Sequence, residues 1–280
     1  MPIVDAQVHI WAANTPERPW PEEQIVKPHR PEPFSKDNLL EEMNAAGVQR
    51  AVLVTPMWEG FRNDLVLEAA QAHPDQFAVM GRFEPELPAS RGQMATWREQ
   101  VGMLGLRLVL RHPPFRPILS EGLADWLWAE AEQAGVPIML LVDSAQLKFI
   151  DQIAERHPGL KLVVDHLCIS GDDKDEEAFK DLDMLLAVAK RPNIAVKATS
   201  LPQFTSDNYP YTRIHPYLRR IYDAFGPKRI FWGSDLSHLY HVPCSYSQVV
   251  TMFTEEMSWL TEEDKNWIMG HAICEWLGWQ

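Results

Sequence analysis

Eight short apolar runs, each followed by a stretch of helical periodicity, recur along the 280 residues of this chain. That alternation restricts the fold more than any other property. The runs occupy residues 4–10, 51–54, 77–83, 106–110, 137–142, 160–164, 194–198 and 230–232. Their length and Val/Ile/Leu content suit strands buried on both faces. The intervening stretches carry helix signals. Ser35 caps a run with Leu39, Leu40, Met43 and Ala46 that Gly47 closes, and Asn63 precedes Leu65, Val66, Ala69 and Ala70. Further helices are expected over 89–101, 122–134, 146–156, 176–189, 214–225, 246–257 and 262–276. A helix between successive strands is a crossover, which makes neighbouring strands parallel. Eight such units closing on themselves form a (β/α)8 TIM barrel, and with no break in composition residues 1–280 read as one domain. An open doubly wound sheet is the runner-up, but no Gly-x-Gly-x-x-Gly follows any strand.

Bulk properties narrow the function. The net charge of -13 opposes binding to nucleic acid or an anionic membrane surface. No apolar run is long enough to span a bilayer, and no basic region followed by an apolar core opens the chain. Cys168, Cys244 and Cys274 are too far apart in sequence to form a metal-ligand pair, and a cytoplasmic location is expected. The proline-rich stretch 12–35 is a long loop of the kind that usually serves function. The acidic run 172–177 suits a solvated helix start.

In such a barrel the active site is built at the C-terminal ends of the strands. Those ends carry Gln7 and His9, Thr55, Arg82 and Glu84, Arg107 and Arg111, Asp143, Asp165 and His166, Lys197, and Ser234 and Asp235. In the first strand Val4, Ala6, Val8 and Ile10 are expected to face one way, and Asp5, Gln7 and His9 to line the pocket. Barrel closure brings the first, sixth and eighth strands to one rim. His9, His166 and Asp235 then share a site that can hold a divalent metal or act as an acid/base set. Trp11, Trp58, Tyr209, Tyr211 and Tyr240 lie in rim loops and are expected to wall the pocket, whereas His238 and His241, in the loop after the eighth strand, read as surface residues within reach of the rim.

These motifs resemble the amidohydrolase superfamily, in particular its amidohydrolase-related branch of lactonases and aromatic-acid decarboxylases. Asp5-Ala6-Gln7-Val8-His9 is similar to the family's Asp-x-His-x-His strand, Val164-Asp165-His166-Leu167 to its sixth-strand histidine, and Trp232-Gly233-Ser234-Asp235 to its eighth-strand aspartate. The resemblance implies a hydrolase that opens a lactone, with carboxylated and sugar-derived lactones as the candidate substrates. In that reading Asp235 activates a water, while His9, His166 and Gln7 polarise the carbonyl. Lys197, Arg82, Arg107, Arg111 and Trp11 bind substrate. If a metal is bound, zinc on His9, His166 and Asp235 is implied. Two departures favour the metal-free reading: Gln7 replaces a histidine, and the fifth strand ends in Asp143 with no histidine. The alternatives are a metal-dependent decarboxylase, an amide hydrolase, or an inactive binding protein. A homo-oligomer is compatible with the aromatic C-terminus, Trp276 to Trp279.

Overall fold

The computed structural model describes residues 2–22, 26–169, 171 and 173–280. Eight parallel strands lie in sequence order: β1 (Val4–Val8), β2 (Arg50–Val54), β3 (Phe77–Arg82), β4 (Met103–Val109), β5 (Ile138–Leu141), β6 (Leu162–Val164), β7 (Ile194–Ala198) and β8 (Ile230–Trp232). Helices such as Lys36–Ala46, Asp64–Ala72, Asp125–Ala134, Leu147–Arg156 and His215–Phe225 fill the crossovers. The fold is the expected single-domain (β/α)8 barrel.

Two apolar layers hold it together. Val4, Ala6, Val52, Val54, Ala78, Met80, Met139, Val163, Ala195 and Phe231 fill the barrel interior. A larger layer packs the outer strand faces against the helices. The C-terminal aromatic segment folds under the barrel, where Trp279 is buried beneath the Arg50 guanidinium, 3.7 Å from its ring centre. Among the described residues no helix is long and apolar enough to cross a membrane.

Local structure departs from expectation in instructive ways. Residues 89–101 form 3-10 turns, Pro88–Ser90 and Gln93–Glu99, because Pro88 and a left-handed Gly92 (φ 82°) interrupt any longer α-helix. Asn63 precedes the helix Asp64–Ala72 but does not cap it. Its amide is turned to β3, accepting from Arg82 N (2.7 Å) and donating to Arg82 O (2.9 Å). Of the acidic run, Asp172 lies outside the described residues, and Asp175 binds Thr205 Oγ1 at 2.8 Å.

The largest departure is in β1. Its pairing with β2 shifts between Asp5 and Val8, so that three residue steps on β1 oppose two on β2. A bulge of this kind reverses which side chains face inward. Val4 and Ala6 therefore face the barrel axis below it, and Gln7 meets the buried Lys197 above it. Asp5 does not join the pocket wall with Gln7 and His9; it points to β8 and the helix Tyr246–Thr251.

That orientation gives Asp5 a different task. Ladders join each strand to the next from β1 to β8. Across the last gap, Asp235 N–H donates to Gln7 O at 3.0 Å. The Asp5 carboxylate closes the rest: Oδ1 accepts from Gln7 N (3.0 Å) and Ser234 N (2.9 Å), while Oδ2 accepts from the Ser234 hydroxyl and from Tyr246 Oη (2.7 Å). The strands approach so closely that a Cβ at Gly233 would stand 2.9 Å from Asp5 Oδ1 and 2.7 Å from Thr199 Cγ2. Glycine is required there by space.

Candidate active site

At the C-terminal rim of the barrel a cavity of about 260 Å³ opens, with room for one ring-sized ligand. His9, His166 and Asp235 form its floor, and Arg107, Arg111 and His112 stand on one side. Trp58, His29 and His238 stand on the other. Gln7, Lys197, Arg82 and Trp11 are not among its lining residues. Gln7 and Lys197 lie fully buried beneath the floor. Arg82 sits behind Phe61, its guanidinium 5.0 Å from the ring centre, and Trp11 backs Trp58 edge-on at 5.2 Å.

Two of the candidate side chains are held in backbone conformations that non-glycine residues rarely adopt. Asp235 has φ 52°, and His166 has φ 50° at the start of a run of left-handed residues through Leu167 and Cys168. Such conformations cost about 1–2 kcal/mol per residue and persist where surrounding structure over-determines them, commonly at functional sites.

Hydrogen bonds fix the state of each group. His9 Nδ1 lies 2.6 Å from Val54 O. A carbonyl only accepts, so Nδ1 carries the proton and Nε2 presents a lone pair. Lys197 Nζ only donates, and it lies 2.5 Å from Gln7 Oε1. The Gln7 amide nitrogen therefore faces His9 Nε2, at 3.1 Å, and donates to it. Beneath them Asp165 binds Lys197 at 2.7 Å and Arg107 at 2.8 Å.

Asp235 occupies the centre. Its Oδ2 accepts from Ser200 Oγ at 2.9 Å and lies 4.0 Å from His166 Nδ1. Its Oδ1 lies 3.4 Å from His9 Nε2 and has no hydrogen-bond partner among the described residues. His166 Nδ1 is 2.6 Å from Thr199 Oγ1.

Electrostatics follow from burial. Burial lowers His9 to about 4, against the pull of Asp235, and lowers His166 and His29 to about 3. All three rings are neutral at neutral pH. Burial opposes charge on Asp235, but His166, His9, His238 and His29 around it hold it below the ordinary carboxylate range. Asp165 is likewise held low: burial resists its ionisation, and Lys197 and Arg107 outweigh that resistance.

His29 and Ser200 escape the sequence reading, whereas His238, expected at the surface with the rim in reach, lines the cavity, and its ring meets His29 edge-on at 4.5 Å. His29 comes from the proline-rich loop and reaches Ser237 Oγ at 3.0 Å. Ser200, which orients Asp235, follows the end of β7 by two residues and adopts φ 58°. The only signal for His29 was its position in a long loop after the first strand. Of the other aromatic candidates, Trp58 lines the cavity, Tyr211 is buried away from it, and Tyr240 and His241 are exposed.

A divalent metal does not fit this donor set. Among the described residues no three His, Cys, Asp or Glu side chains converge to hold one. The histidine lone pair that would face it accepts from Gln7.

The rim of this (β/α)8 scaffold thus carries a strand-end carboxylate between two imidazoles. A family model described as Amidohydrolase matches residues 4–279, so the chain belongs to the amidohydrolase family. It is 24% identical over 249 residues to the L-fucono-1,5-lactonase of Burkholderia ambifaria, covering 83% of this chain and 79% of that one. It is also 24% identical over 238 residues to the 4-sulfomuconolactone hydrolase of Hydrogenophaga intermedia, covering 84% of this chain and 74% of that one. Among solved structures, an amidohydrolase of Burkholderia multivorans with bound zinc superposes with TM-score 0.82 at 20% identity, over 99% of both chains.

Proposed function

We propose that this protein is a hydrolase that opens a lactone ring, with Asp235 as the general base. The observation that carries this reading is the buried Oδ1 of Asp235, without a hydrogen-bond partner among the described residues and 3.4 Å from His9 Nε2, on a residue that lines the cavity with His9 and His166. Both relatives named above act on lactones, which supports the substrate class.

Water bound at Oδ1 loses a proton to Asp235 as its oxygen attacks the lactone carbonyl carbon. Thr199, donating to His166 Nδ1, leaves the ring proton on Nε2, where it stabilises the developing oxyanion. The proton gained by Asp235 stays on its carboxyl, 3.4 Å from the His9 ring. The ring C–O bond then breaks, and Asp235 returns the proton to the leaving oxygen, giving a hydroxy acid. Gln7 acts through His9 in this scheme. The test is a panel of five- and six-membered lactones assayed by acid release; no turnover of any member by the folded protein overturns the reading.

Arg111 supplies the charge selectivity. It donates to Ile169 O at 2.8 Å, its Nε has no hydrogen-bond partner among the described residues, and its contact with Asp143 is a loose 3.8 Å. It is therefore free to bind a carboxylate on the substrate. Arg111→Met is expected to raise KM for carboxylated lactones roughly 10- to 100-fold and to change kcat little. Equal effects on neutral and carboxylated lactones in steady-state assays would remove Arg111 from that role.

The pH profile follows from the buried rings. His9 and His166 are lowered to about 4 and 3, so they charge only on acidification. kcat/KM is expected to be level between about pH 6 and 8 and to fall as pH drops through about 4. Initial rates after a pH jump check this; an acid limb centred near neutrality would contradict it. The three cysteines are free, in accord with a reducing, cytoplasmic compartment.

A further inference from the structure

We propose that Lys197 is the built-in cation of this site: through Gln7 it commits the His9 lone pair to a hydrogen bond, and so excludes a divalent metal. The inference rests on the proposed partnership of His9 with Asp235, and it is independent of which lactone is the substrate.

The geometry leaves little alternative. The Lys197 side chain is completely buried, and its ammonium has three hydrogens. They meet Asp165 Oδ1 at 2.7 Å, Gln7 Oε1 at 2.5 Å and Met139 Sδ at 3.3 Å. Held by this ion pair and two hydrogen bonds, the ammonium stays below the cavity floor.

Gln7 is consequently locked. Rotating its amide by a half turn would bring its NH2 against the ammonium, donor against donor, in a dry environment where an unmet donor is costly. His9 is locked too, because turning its ring would break the Nδ1–H bond to Val54 O. A metal seeking His9 must displace the Gln7 N–H from Nε2, and Gln7 has nowhere else to place it.

Charge acts in the same direction. Lys197 and Arg107 share the single carboxylate of Asp165, leaving one net positive charge under the floor. That charge favours the Asp235 carboxylate, a service a metal would otherwise perform, and it repels a second cation. A residue acting this way is a positioning residue, since it touches no substrate.

The experiment counts zinc. Wild type and the double variant Gln7→His/Lys197→Met are stripped with chelator, incubated with zinc chloride, desalted and measured by plasma mass spectrometry. Folding is checked by circular dichroism. The wild type is expected to retain far less than one ion per chain. The double variant, with two histidines on β1 beside His166 and Asp235, is expected to retain about one. Stoichiometric zinc on the wild type overturns the proposal, as does a folded double variant that holds no more than wild type.

Nitrogen NMR of the wild-type histidines gives a second readout that needs no variant. His9 is expected to show a protonated Nδ1 and a bare Nε2, whereas a protonated Nε2 would overturn the scheme. Neither measurement uses turnover, so a failed lactone panel and a failed zinc count remain separate results.

Discussion

Asp235→Asn is expected to lower kcat/KM on the lactone substrate by roughly 10²- to 10⁴-fold, the range that a general base contributes. The same change is expected to leave the fold intact or slightly more stable. Asparagine tolerates the left-handed conformation held by Asp235 at φ 52°. Its oxygen can accept from Ser200, as Oδ2 does now at 2.9 Å. Its NH2 would then face His9 Nε2 where two acceptors stand 3.4 Å apart. That contact would improve at the expense of the chemistry, a trade common at active sites. Steady-state kinetics with a thermal melt checks both halves. A folded Asp235→Asn enzyme with full activity would remove Asp235 from the base role, and a variant that loses activity by unfolding would show it in the melt.

The second large effect concerns stability. Asp5→Ala is expected to destabilise the protein by about 3–5 kcal/mol, because it strips the acceptor from buried donors on Gln7, Ser234 and Tyr246 at once. Asp5→Asn is expected to cost less, since its amide keeps one acceptor for the two N–H groups. Its NH2 can donate to the hydroxyl oxygens of Ser234 and Tyr246.

Asp5 also makes stability depend on pH. Burial raises its carboxyl from 3.8 to about 6, against the lowering effect of its hydrogen bonds. The folded chain therefore holds this proton more tightly than the unfolded chain. Its contribution is fully present below the unfolded value and is lost as pH rises through about 6. The difference is about 3 kcal/mol at most. Urea unfolding of wild type and Asp5→Asn from about pH 4 to 7 should show the wild type losing ground against the variant. Parallel curves would mean that Asp5 is charged at every pH in that range.

Much of the fold is readable from residue order because each β/α unit is delimited locally. Runs such as 51–54 and 230–232 are apolar throughout, as strands covered on both faces must be. Breakers such as Gly47 and Gly135 stop the preceding helices in left-handed caps. Placing His9, His166 and Asp235 together follows from strand order alone, and the floor of the cavity bears it out.

What escapes depends on single-residue geometry or on contacts distant in sequence. Nothing in Val4-Asp5-Ala6-Gln7-Val8 announces a bulge, yet the bulge decides that Gln7 faces Lys197 while Asp5 faces Ser234. His29 reaches the cavity through a contact with Ser237 more than two hundred positions away. Arg82 and Arg107 are neighbours in register, but only Arg107 finds a carboxylate and the cavity. Strand-end position marked both equally.

The seam between β8 and β1 has a consequence for how the protein fails. Every other junction of the barrel is a ladder whose loss requires unzipping a strand. This one is held by a carboxylate, its few donors and one backbone bond, from Asp235 N to Gln7 O. Asp235, the proposed base, stands at one lip of the gap, and His9, two residues beyond Gln7, at the other. Partial opening at this junction separates the two before the remaining strands part, as expected of sub-global unfolding. Catalysis therefore senses the integrity of the closure. On heating, turnover should vanish ahead of the helical signal, and amide exchange at Ser234 and Asp235 should be the first to quicken.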